Sequence, residues 1–484
     1  MANEYDRVRY PSLTFTRTHP TAIGVFAALF GLRFAPFGTS RVLEIGCGEG
    51  INLINMALGA PHAEFMGIDL AAEPVARARA TVQSCGVANA KFDVRDLDEI
   101  DASYGQFDYI IAHGVYAWVP ERTRRALLRV VSERLSAGGL ALISYNTLPG
   151  SRFRQALRDM LVYVTKDVDN PDVKLDRARS FLRERIEAWS GSEADICAMR
   201  SEAQRLLDRQ PEVLYHDELA QNYVPQLLSD VVADAAKFGL KYLCDAQPHL
   251  SEEALFPSDA FAAMREQSGG DWVRFEQLAD FAAVRRFRYS IFFRSGDADR
   301  CRDATRLRGL WASANLTVVQ ADPTGPDGAV FKTVRGGRFT TNNPELVRLL
   351  VTLADIFPLG ASLNRAAESA SLSDYVFQLF AREVIQLTTA QRLLVTVIGD
   401  RPSVSALARV QAAAGEIRLA ALRHVTIQID DPFVRALIPL IDGTRTRAEL
   451  SLELARRKQV SVSAALVELD EMLAKFARDG LIVG

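Results

Sequence analysis

Short apolar runs alternate with amphipathic stretches along the first third of this 484-residue chain. A continuous apolar run is typical of a strand that is buried on both faces, whereas apolar positions three or four residues apart indicate a helix. Alternating strands and helices predict a parallel, doubly wound α/β sheet. The predicted strands are 41–45, 64–69, 90–94, 107–112 and 140–145; the helices are 51–58, 73–85 and 121–136, the last ended by Gly138 and Gly139.

Two later segments are expected to complete this sheet. A helical run at 226–238 leads into a strand at 239–245, and residues 286–293 alternate well enough to be a seventh strand. The intervening segments, 151–222 and about 248–284, are charged and helix-forming. We interpret them as helical insertions that form a lid and much of a substrate cleft.

The pattern changes beyond about residue 300. A short strand lies within 329–339 and helices are predicted at 344–356 and 371–386. Two further helices and a terminal Gly480-Leu-Ile-Val predict a small α+β winged-helix module over 433–484, and 304–390 is a candidate for another. The predicted domains are a core at 1–150, insertions with the last strands at 151–300, a winged-helix-like middle domain at 301–400 and a winged-helix-like C-terminal domain at 401–484.

A glycine-rich turn follows the first predicted strand. The segment reads Glu44-Ile-Gly46-Cys47-Gly48-Glu-Gly50 and runs directly into a helix. Strand, glycine turn and helix form a nucleoside-binding crevice at the carboxyl edge of an α/β sheet. The dinucleotide fingerprint needs a sixth-position glycine or alanine counted from Gly46, but Ile51 stands there. The E-x-G-x-G-x-G pattern instead resembles the first motif of class I methyltransferases, which use S-adenosylmethionine.

Acidic residues follow the next two strands. Asp69 lies about 20 residues past the glycines, where such folds place a carboxylate on the ribose hydroxyls. Asp96 with Leu97 is the predicted adenine clamp, although Asp93 and Asp98 are close enough to compete for that role. Glu44 is expected to orient the loop or to accept from the amino group of the cofactor, and Cys47 to be a small packed turn residue rather than a nucleophile. The predicted cofactor-binding residues are Glu44, Gly46, Cys47, Gly48, Asn52, Asp69, Leu70, Asp96, Leu97 and His113.

The exits of the fourth and fifth strands are rich in aromatic and polar residues. Tyr116 and Trp118 are predicted to line the methyl pocket, where ring faces favour a cationic sulfonium or ammonium; the alternative is that both pack in the core. Tyr145 and Asn146 are predicted to accept from a substrate amine, with a self-satisfied loop as the alternative. His113 is expected to be a hydrogen-bond partner or cofactor neighbour rather than a general base.

The N-terminal stretch 10–20 is polar, aromatic and punctuated by proline, which is typical of a loop. It precedes the cofactor motif and is expected either to close over the ligand or to serve as a packed entry strap.

Composition and charge narrow the function classes. A net charge of −3 gives no general attraction to nucleic acid or to anionic membranes. The polar start of the chain predicts no signal peptide, and the apolar run at 21–32 is too short to span a bilayer. Five scattered cysteines suit a reducing cytoplasm, and neither they nor the six histidines have metal-ligand spacing, so no metal is expected.

Several longer motifs together resemble one bacterial family, the methyltransferases with an attached regulatory domain. They are Thr18-His-Pro20, the 42–54 cofactor motif, 107–120, Tyr145-Asn-Thr-Leu-Pro-Gly150 and Phe287-Arg288. That family includes the protein-lysine methyltransferases that modify a rickettsial outer-membrane protein. The resemblance covers about residues 5–300 well, and it departs from the family at Leu148, where an aromatic is usual, and at Ser151, where a tryptophan is usual.

The resemblance implies an S-adenosylmethionine-dependent methyltransferase that releases S-adenosylhomocysteine and modifies lysines of a protein, with an outer-membrane protein before export as a candidate. One alternative is a methyltransferase for a small molecule or natural product. Another is a nucleic-acid-binding regulator built on winged helices, which would carry a basic face. Between Asp430 and Gly484, however, eight Lys and Arg stand against nine Asp and Glu, which favours a role without nucleic acid.

Overall fold

A seven-stranded sheet organises the N-terminal part of the computed structural model, which describes residues 4–247, 256–300, 303–325 and 328–483. The strand order is β3-β2-β1-β4-β5-β7-β6, with β7 antiparallel to both of its neighbours. The α/β fold predicted from the sequence is confirmed. The strands are β1 (Arg41–Ile45), β2 (Glu64–Asp69), β3 (Ala90–Val94), β4 (Phe107–Ala112), β5 (Leu135–Asn146), β6 (Lys241–Asp245) and β7 (Phe287–Phe293).

Helices cover both faces of this sheet, which explains why its strands are apolar throughout. One core lies under α2 (Pro20–Leu29), α3 (Ile51–Gly59) and α4 (Ala72–Cys85). The other lies under α5 (Glu121–Arg134) and α10 (Leu228–Ala236). A short N-terminal helix, α1 (Glu4–Arg7), precedes them.

The predicted end of α5 at Gly138 and Gly139 is wrong. The helix ends at Arg134, and β5 begins at once with Leu135, which is buried and pairs with Phe107 of β4. Both glycines therefore lie within the strand. Pairing with β4 begins earlier than the apolar run from Leu140 suggests, because the register shifts between Phe107 and Tyr109.

Helical insertions separate β5 from the last two strands, as predicted. The first contains α6 (Arg152–Thr165), α7 (Pro171–Ala188), α8 (Ala194–Leu207) and α9 (Pro211–Leu219). The second contains α11 (Ser258–Ser268) and α12 (Trp272–Ala282); the part of the predicted insertion at 248–255 lies outside the described residues. The prediction that 241–245 joins the same sheet as 41–45 is confirmed, because β6 pairs with β7.

A buried arginine fixes the second insertion to the sheet. Arg288 of β7 is fully buried, and its guanidinium donates to Asp280 at 2.7 Å and to Glu276 at 2.9 Å, both on α12. A buried guanidinium is tolerated only when such partners satisfy it. Arg288 thereby ties α12 to one face of the sheet.

The C-terminal region contains four small sheets and six helices within its described residues. The predicted helix 371–386 ends earlier, because Glu383 adopts a left-handed φ of 57° and a strand opens at Gln386. The elements are β8 (Trp311–Ser313), β9 (Leu316–Gln320), β10 (Ala329–Thr333), β11 (Arg338–Thr341), α13 (Pro344–Ile356), β12 (Ala361–Ser362), α14 (Ala370–Ala381), β13 (Gln386–Thr388), β14 (Ser403–Val404), α15 (Ala406–Ala413), β15 (Arg418–Ala421), β16 (Val425–Gln428), α16 (Pro432–Leu437), α17 (Arg447–Lys458), α18 (Val462–Asp479) and β17 (Ile482–Val483).

Within the described ranges, no helix combines the length and the apolar character needed to cross a bilayer.

Candidate active site

The glycine turn between β1 and α3 adopts a backbone that only glycine takes easily. Gly46, Gly48 and Gly50 have φ angles of 72°, 52° and 69°. A Cβ atom on Gly46 would lie 2.4 Å from Cγ2 of Val115, whereas one on Gly48 would meet nothing within 4 Å. The backbone N–H of Gly46 donates to the Ile68 carbonyl at 2.8 Å, which holds the turn against β2. The turn therefore leaves open space at Gly48 for a ligand.

Asp69, at the end of β2, is directly connected to this turn. Its Oδ2 accepts from the backbone N–H of Gly48 at 2.8 Å, and its Oδ1 accepts from Ala71 N–H at 2.9 Å. Burial is the main influence on its carboxyl and raises its pKa. Leu70, the next residue, is 60% exposed. The predicted ribose acid and the glycine turn are thus joined by a direct hydrogen bond.

Glu44 contributes a buried acceptor behind the turn. Its Oε1 accepts from Asn52 Nδ2 at 2.8 Å, while its Oε2 is buried and has no partner among the described residues. Burial raises the pKa of Glu44 to about 8, in spite of the hydrogen bond from Asn52. An unpaired buried acceptor is costly, which suggests that a ligand group satisfies it.

Cys47 packs inside the turn. Its Sγ lies within 2.9 Å of the position that a Cβ on Gly67 would take, and burial raises the pKa of its thiol. A half-buried thiol with a raised pKa is protonated and unreactive, which favours the predicted packing role over a nucleophile.

Asp96 follows β3 and caps a short 3-10 helix, Leu97–Glu99. Its carboxylate accepts from Asp98 N–H at 3.0 Å, and Leu97 is buried. The two competing acids are engaged by arginines, Asp93 by Arg79 and Asp98 by Arg122. This arrangement leaves Asp96 as the candidate for the adenine clamp, which remains a prediction.

His113, just beyond β4, lies in an aromatic cluster. Its ring is 4.0 Å from that of Phe15 and 5.4 Å from that of Tyr289, measured between centroids. Phe287 completes the cluster, and Ser144 Oγ lies 2.8 Å from His113 Nδ1. Burial lowers the pKa of His113 to about 4, so the ring is neutral at neutral pH. The carboxyl edge of the sheet therefore has an aromatic lining next to the cofactor turn.

Tyr116 and Tyr145 lie elsewhere. Both are fully buried in the core under α5 and α10, with ring centroids 5.9 Å apart, and the Tyr145 hydroxyl is 2.9 Å from Ser290 Oγ. Successive strand residues face opposite sides of a sheet. Tyr145 consequently faces away from Ser144, the partner of His113. This placement favours the core-packing alternative for Tyr116, and it puts Tyr145 in the core as well, rather than in the loop that was its alternative.

Trp118 contacts the first insertion instead of the aromatic cluster. The guanidinium groups of Arg154 and Arg158 on α6 lie 5.3 Å and 5.2 Å from its ring centroid, and Tyr223 packs against it at 4.8 Å. Trp118 thereby joins the β4 exit to the insertion.

Asn146, the last residue of β5, is buried at the carboxyl edge. Its Oδ1 has no partner among the described residues, and its backbone carbonyl accepts from Gln226 N–H at 3.0 Å. It pairs with Phe287 of β7, so both side chains lie on the same face of the sheet. This position gives Asn146 a free acceptor beside the aromatic cluster.

The N-terminal segment crosses the whole carboxyl edge of β1, β2 and β4. At one end Asp6 accepts from the Glu73 N–H of α4 at 2.9 Å, close to Asp69. In the middle Arg9 pairs with Glu49 of the glycine turn, and at the other end Phe15 rests on His113. The N-terminal segment is packed against the core, as the alternative of a packed entry strap predicts. It also lies over the carboxyl edge, where a segment that closes over the ligand would lie.

Metal-ligating residues do not gather in this region: across the described parts of the chain, no three His, Cys, Asp or Glu side chains form a set that could hold an ion.

Three family models match successive parts of the chain. A methyltransferase domain matches residues 42–139, a predicted methyltransferase regulatory domain matches 210–294, and a PKMT C-terminal winged helix domain matches 400–465. Protein RP028 of Rickettsia prowazekii is 31% identical over 242 residues, which are 49% of this chain and 96% of that protein. The chain belongs to the bacterial class I methyltransferases that carry a methyltransferase regulatory domain.

Longer relatives and solved structures extend this result. Protein RP789 of Rickettsia prowazekii is 33% identical over 292 residues, which are 60% of this chain and 52% of that protein, so the alignment spans about half of that relative. PKMT2 from Rickettsia typhi has the same fold, with a TM-score of 0.86 at 23% identity over 98% of this chain and 100% of that one. The structure of PKMT2 in complex with AdoHcy aligns with a TM-score of 0.85 at 22% identity.

Several residues of this methyltransferase site were not among the predicted ones. Phe15 and Tyr289 flank His113, although they are far from it in sequence. The available signals were the aromatic loop at 10–20 and the Phe287-Arg288 pair, but neither indicated contact with β4. A third residue, His424 of the C-terminal domain, contacts Asn52 behind the glycine turn.

Proposed function

We propose that this chain is an S-adenosylmethionine-dependent N-methyltransferase that acts on lysine side chains of a protein. The observation that carries the proposal is the buried, unpaired Oδ1 of Asn146 beside an aromatic cluster, next to a methyltransferase cofactor turn. The match of its C-terminal region to the PKMT winged helix domain supports a protein acceptor.

The residues present fit the cofactor. The open backbone at Gly48 would accommodate its amino-acid end, Asp69 would accept from the ribose hydroxyls, and Glu44 Oε2 would accept from its amino group. When bound, the cofactor supplies a methyl group on a sulfonium centre. The task of the protein is then to position and desolvate the acceptor amine.

Asn146 and the aromatic cluster around His113, here called the acceptor half of the site, would orient and desolvate the lysine amine. Asn146 Oδ1 would accept a hydrogen bond from the amine and orient its lone pair, while the rings of Phe15, Phe287 and Tyr289 exclude water. Desolvation and a nearby positive charge both lower the pKa of an ammonium group, so it loses its proton more easily. A dedicated base is therefore unnecessary, and His113 serves as a neutral wall of the pocket.

The remaining parts of the proposal concern organisation and setting. We assign the cofactor core to residues 1–150, the regulatory and substrate region to 151–300, and two winged-helix-like domains to 301–400 and 401–484. The described cysteines, Cys47, Cys85, Cys197 and Cys244, are all free thiols, which supports action in the reducing cytoplasm. An outer-membrane protein before export is the substrate that we propose.

The charge distribution of the C-terminal domain argues against a nucleic-acid partner. Five of its twelve Lys and Arg residues are paired with carboxylates within the domain, which reduces the free charge that a basic face would need. The pairs are Arg445 with Asp442, Arg447 with Asp470, Arg456 and Arg457 with Glu453, and Lys458 with Asp431 and Glu468.

Incubation of the purified protein with methyl-labelled S-adenosylmethionine and a bacterial extract tests the proposal. The extract is afterwards separated into protein, small-molecule and nucleic-acid fractions. We expect label in protein. Label confined to small molecules would replace the proposal with a metabolite methyltransferase, and label in nucleic acid would overturn the argument from charge.

A further inference from the structure

The C-terminal domain reaches into the methyltransferase core through one histidine. His424 lies in the turn that joins β15 to β16, with a left-handed φ of 59°, and its side chain is buried at 3% exposure. Its Nε2 lies 2.8 Å from Asn52 Oδ1, and its Nδ1 lies 2.9 Å from Asn55 Oδ1. Both asparagines are on α3, which begins at the glycine turn.

The hydrogen bonds around Asn52 fix the direction of this contact. Asn52 Nδ2 donates to Glu44 Oε1 at 2.8 Å, and Asn52 Oδ1 accepts from the Phe15 N–H at 3.1 Å. The amide oxygen therefore faces His424, whose Nε2 must be the donor. Burial lowers the pKa of His424, so the ring is neutral and donates through one nitrogen only. Its Nδ1 is then an acceptor, so we assign the Asn55 amide the flipped orientation, in which Nδ2, which otherwise lacks a partner within the described structure, takes the place of Oδ1 and donates to Nδ1.

We infer that His424 is a positioning residue for the cofactor site. It holds the Asn52 amide, and Asn52 in turn holds the Glu44 carboxyl so that Oε2 is presented to the amino group of the bound cofactor. The C-terminal domain thereby completes the methyltransferase core, and the His424–Asn52 hydrogen bond, beyond docking of the domain as such, sets the affinity for the amino-acid end of the cofactor. This inference rests on the proposed function, because it requires S-adenosylmethionine as the cofactor.

A second polar contact, next to this turn on β16, offers a matched control. Thr426 on β16 accepts a hydrogen bond at its Oγ1 from the backbone N–H of Thr14, in the N-terminal segment, at 3.0 Å. Thr426 and His424 both join the C-terminal domain to the core. Of the two, only His424 contacts Asn52. Loss of the Thr426 contact weakens docking but leaves the two hydrogen bonds from His424 to Asn52 and from Asn52 to Glu44 in place.

Two ligands and three variants test the inference in the full-length protein by calorimetry. S-adenosylhomocysteine carries the amino-acid end, whereas methylthioadenosine lacks it. In His424→Gln the side-chain amide can still donate to Asn52, but in His424→Asn the shorter amide reaches only Asn55. We expect His424→Asn to bind S-adenosylhomocysteine about tenfold more weakly, the loss of roughly one buried hydrogen bond. His424→Gln and Thr426→Val should bind it within about twofold of wild type, and all variants should bind methylthioadenosine equally.

Three outcomes would overturn the inference. Equal losses in His424→Asn and Thr426→Val would show that docking alone matters. A parallel loss for methylthioadenosine would show a general defect of the fold. Unchanged affinity in His424→Asn would show that Asn52 is held without the histidine. If the wild-type protein bound neither ligand, the proposed function itself would fail, and that result is distinct from the other three.

Discussion

The two halves of the carboxyl edge are built in different ways. The cofactor half, which consists of the glycine turn with Glu44, Asn52 and Asp69, is built from backbone groups and side chains close to the turn. The N–H of Gly48 donates to Asp69, and the Asn52 amide, at the start of α3, donates to Glu44. The acceptor half gathers Phe15, Asn146 and Tyr289 from segments far apart in the chain. A backbone cradle is common to a whole enzyme class, whereas a pocket made of distant side chains can differ in each member. The comparison predicts that mutations in the two halves separate binding from turnover.

The largest expected effect is in the cofactor half. Asp69→Ala removes the proposed acceptor for the ribose, and it also leaves the backbone N–H groups of Gly48 and Ala71 without their carboxylate partner. We expect affinity for S-adenosylhomocysteine to fall at least about 100-fold, since bonds to charged groups contribute roughly 1.5–3 kcal/mol each. A thermal-shift titration measures this loss. Asp93→Ala, at the end of the next strand, is the control; an unchanged shift in Asp69→Ala would refute the ribose role.

Two glycines in the same turn should respond unequally. Gly46→Ala places a methyl group 2.4 Å from Val115 Cγ2 at a residue whose φ is 72°. In Gly48→Ala, where φ is 52°, the methyl group meets no atom within 4 Å. A left-handed alanine costs about 1–2 kcal/mol at either position, and only Gly46 adds the clash. Thermal melting without ligand should therefore show the larger loss for Gly46→Ala. Ligand binding should be impaired in Gly48→Ala even where its melting temperature is nearly normal, and equal melting losses would contradict the described turn.

In the acceptor half the expected effect is on turnover. Asn146→Ala removes the free Oδ1 acceptor, and we expect kcat to fall about tenfold or more, as is usual when a positioning contact is lost. Affinity for S-adenosylhomocysteine should stay within about twofold, because Asn146 lies outside the cofactor half. Tyr145→Phe is the matched control on the opposite face and should leave both values nearly unchanged. If Asn146→Ala also weakened the cofactor, the division into halves would fail.

The smallest expected effect is a pH dependence confined to the cofactor half. Burial raises the pKa of Glu44 to about 8 and lowers that of His113 to about 4. A raised carboxyl pKa means that Glu44 is largely neutral below pH 8 and pairs with the cofactor ammonium only after losing a proton. Affinity for S-adenosylhomocysteine should thus rise between about pH 7 and 8, by at most about tenfold. The same linkage makes the ligand-free protein lose the stability contributed by Glu44 as pH rises from about 4.5 through 8.

Calorimetry at several pH values measures the affinity trend. Glu44→Gln should abolish it, because an amide has no proton to lose. A trend that persisted in Glu44→Gln would assign the titration to another group.

The sequence predicted the sheet well for a physical reason. The strands are buried on both faces, so their apolar runs are unambiguous, and even Lys241–Asp245 was placed in the right sheet. The end of α5 was mistaken because Gly138 and Gly139 are common terminators, and only pairing of Leu135 with Phe107 shows that the strand starts earlier. Asp69 was selected by its spacing from the glycines, and the structure brings it into contact with Gly48, while its role at the ribose stays a prediction.

Side-chain direction and long-range contacts were harder to predict. Tyr145 and Asn146 are adjacent, yet only Asn146 shares a face with Phe287, and that choice depends on the register of β5 against β7. The contact of His424 with Asn52 spans two domains, and no local pattern announces it.

The central claim is that this edge transfers a methyl group to lysine, and locating the label tests it most directly. Protein from an extract treated with trideuteromethyl S-adenosylmethionine would be digested and sequenced by tandem mass spectrometry, with the Asp69→Ala variant as the blank. The account predicts label on lysine Nζ in the wild-type sample and none in the blank. Label on another type of side chain, or equal label in both samples, would contradict it.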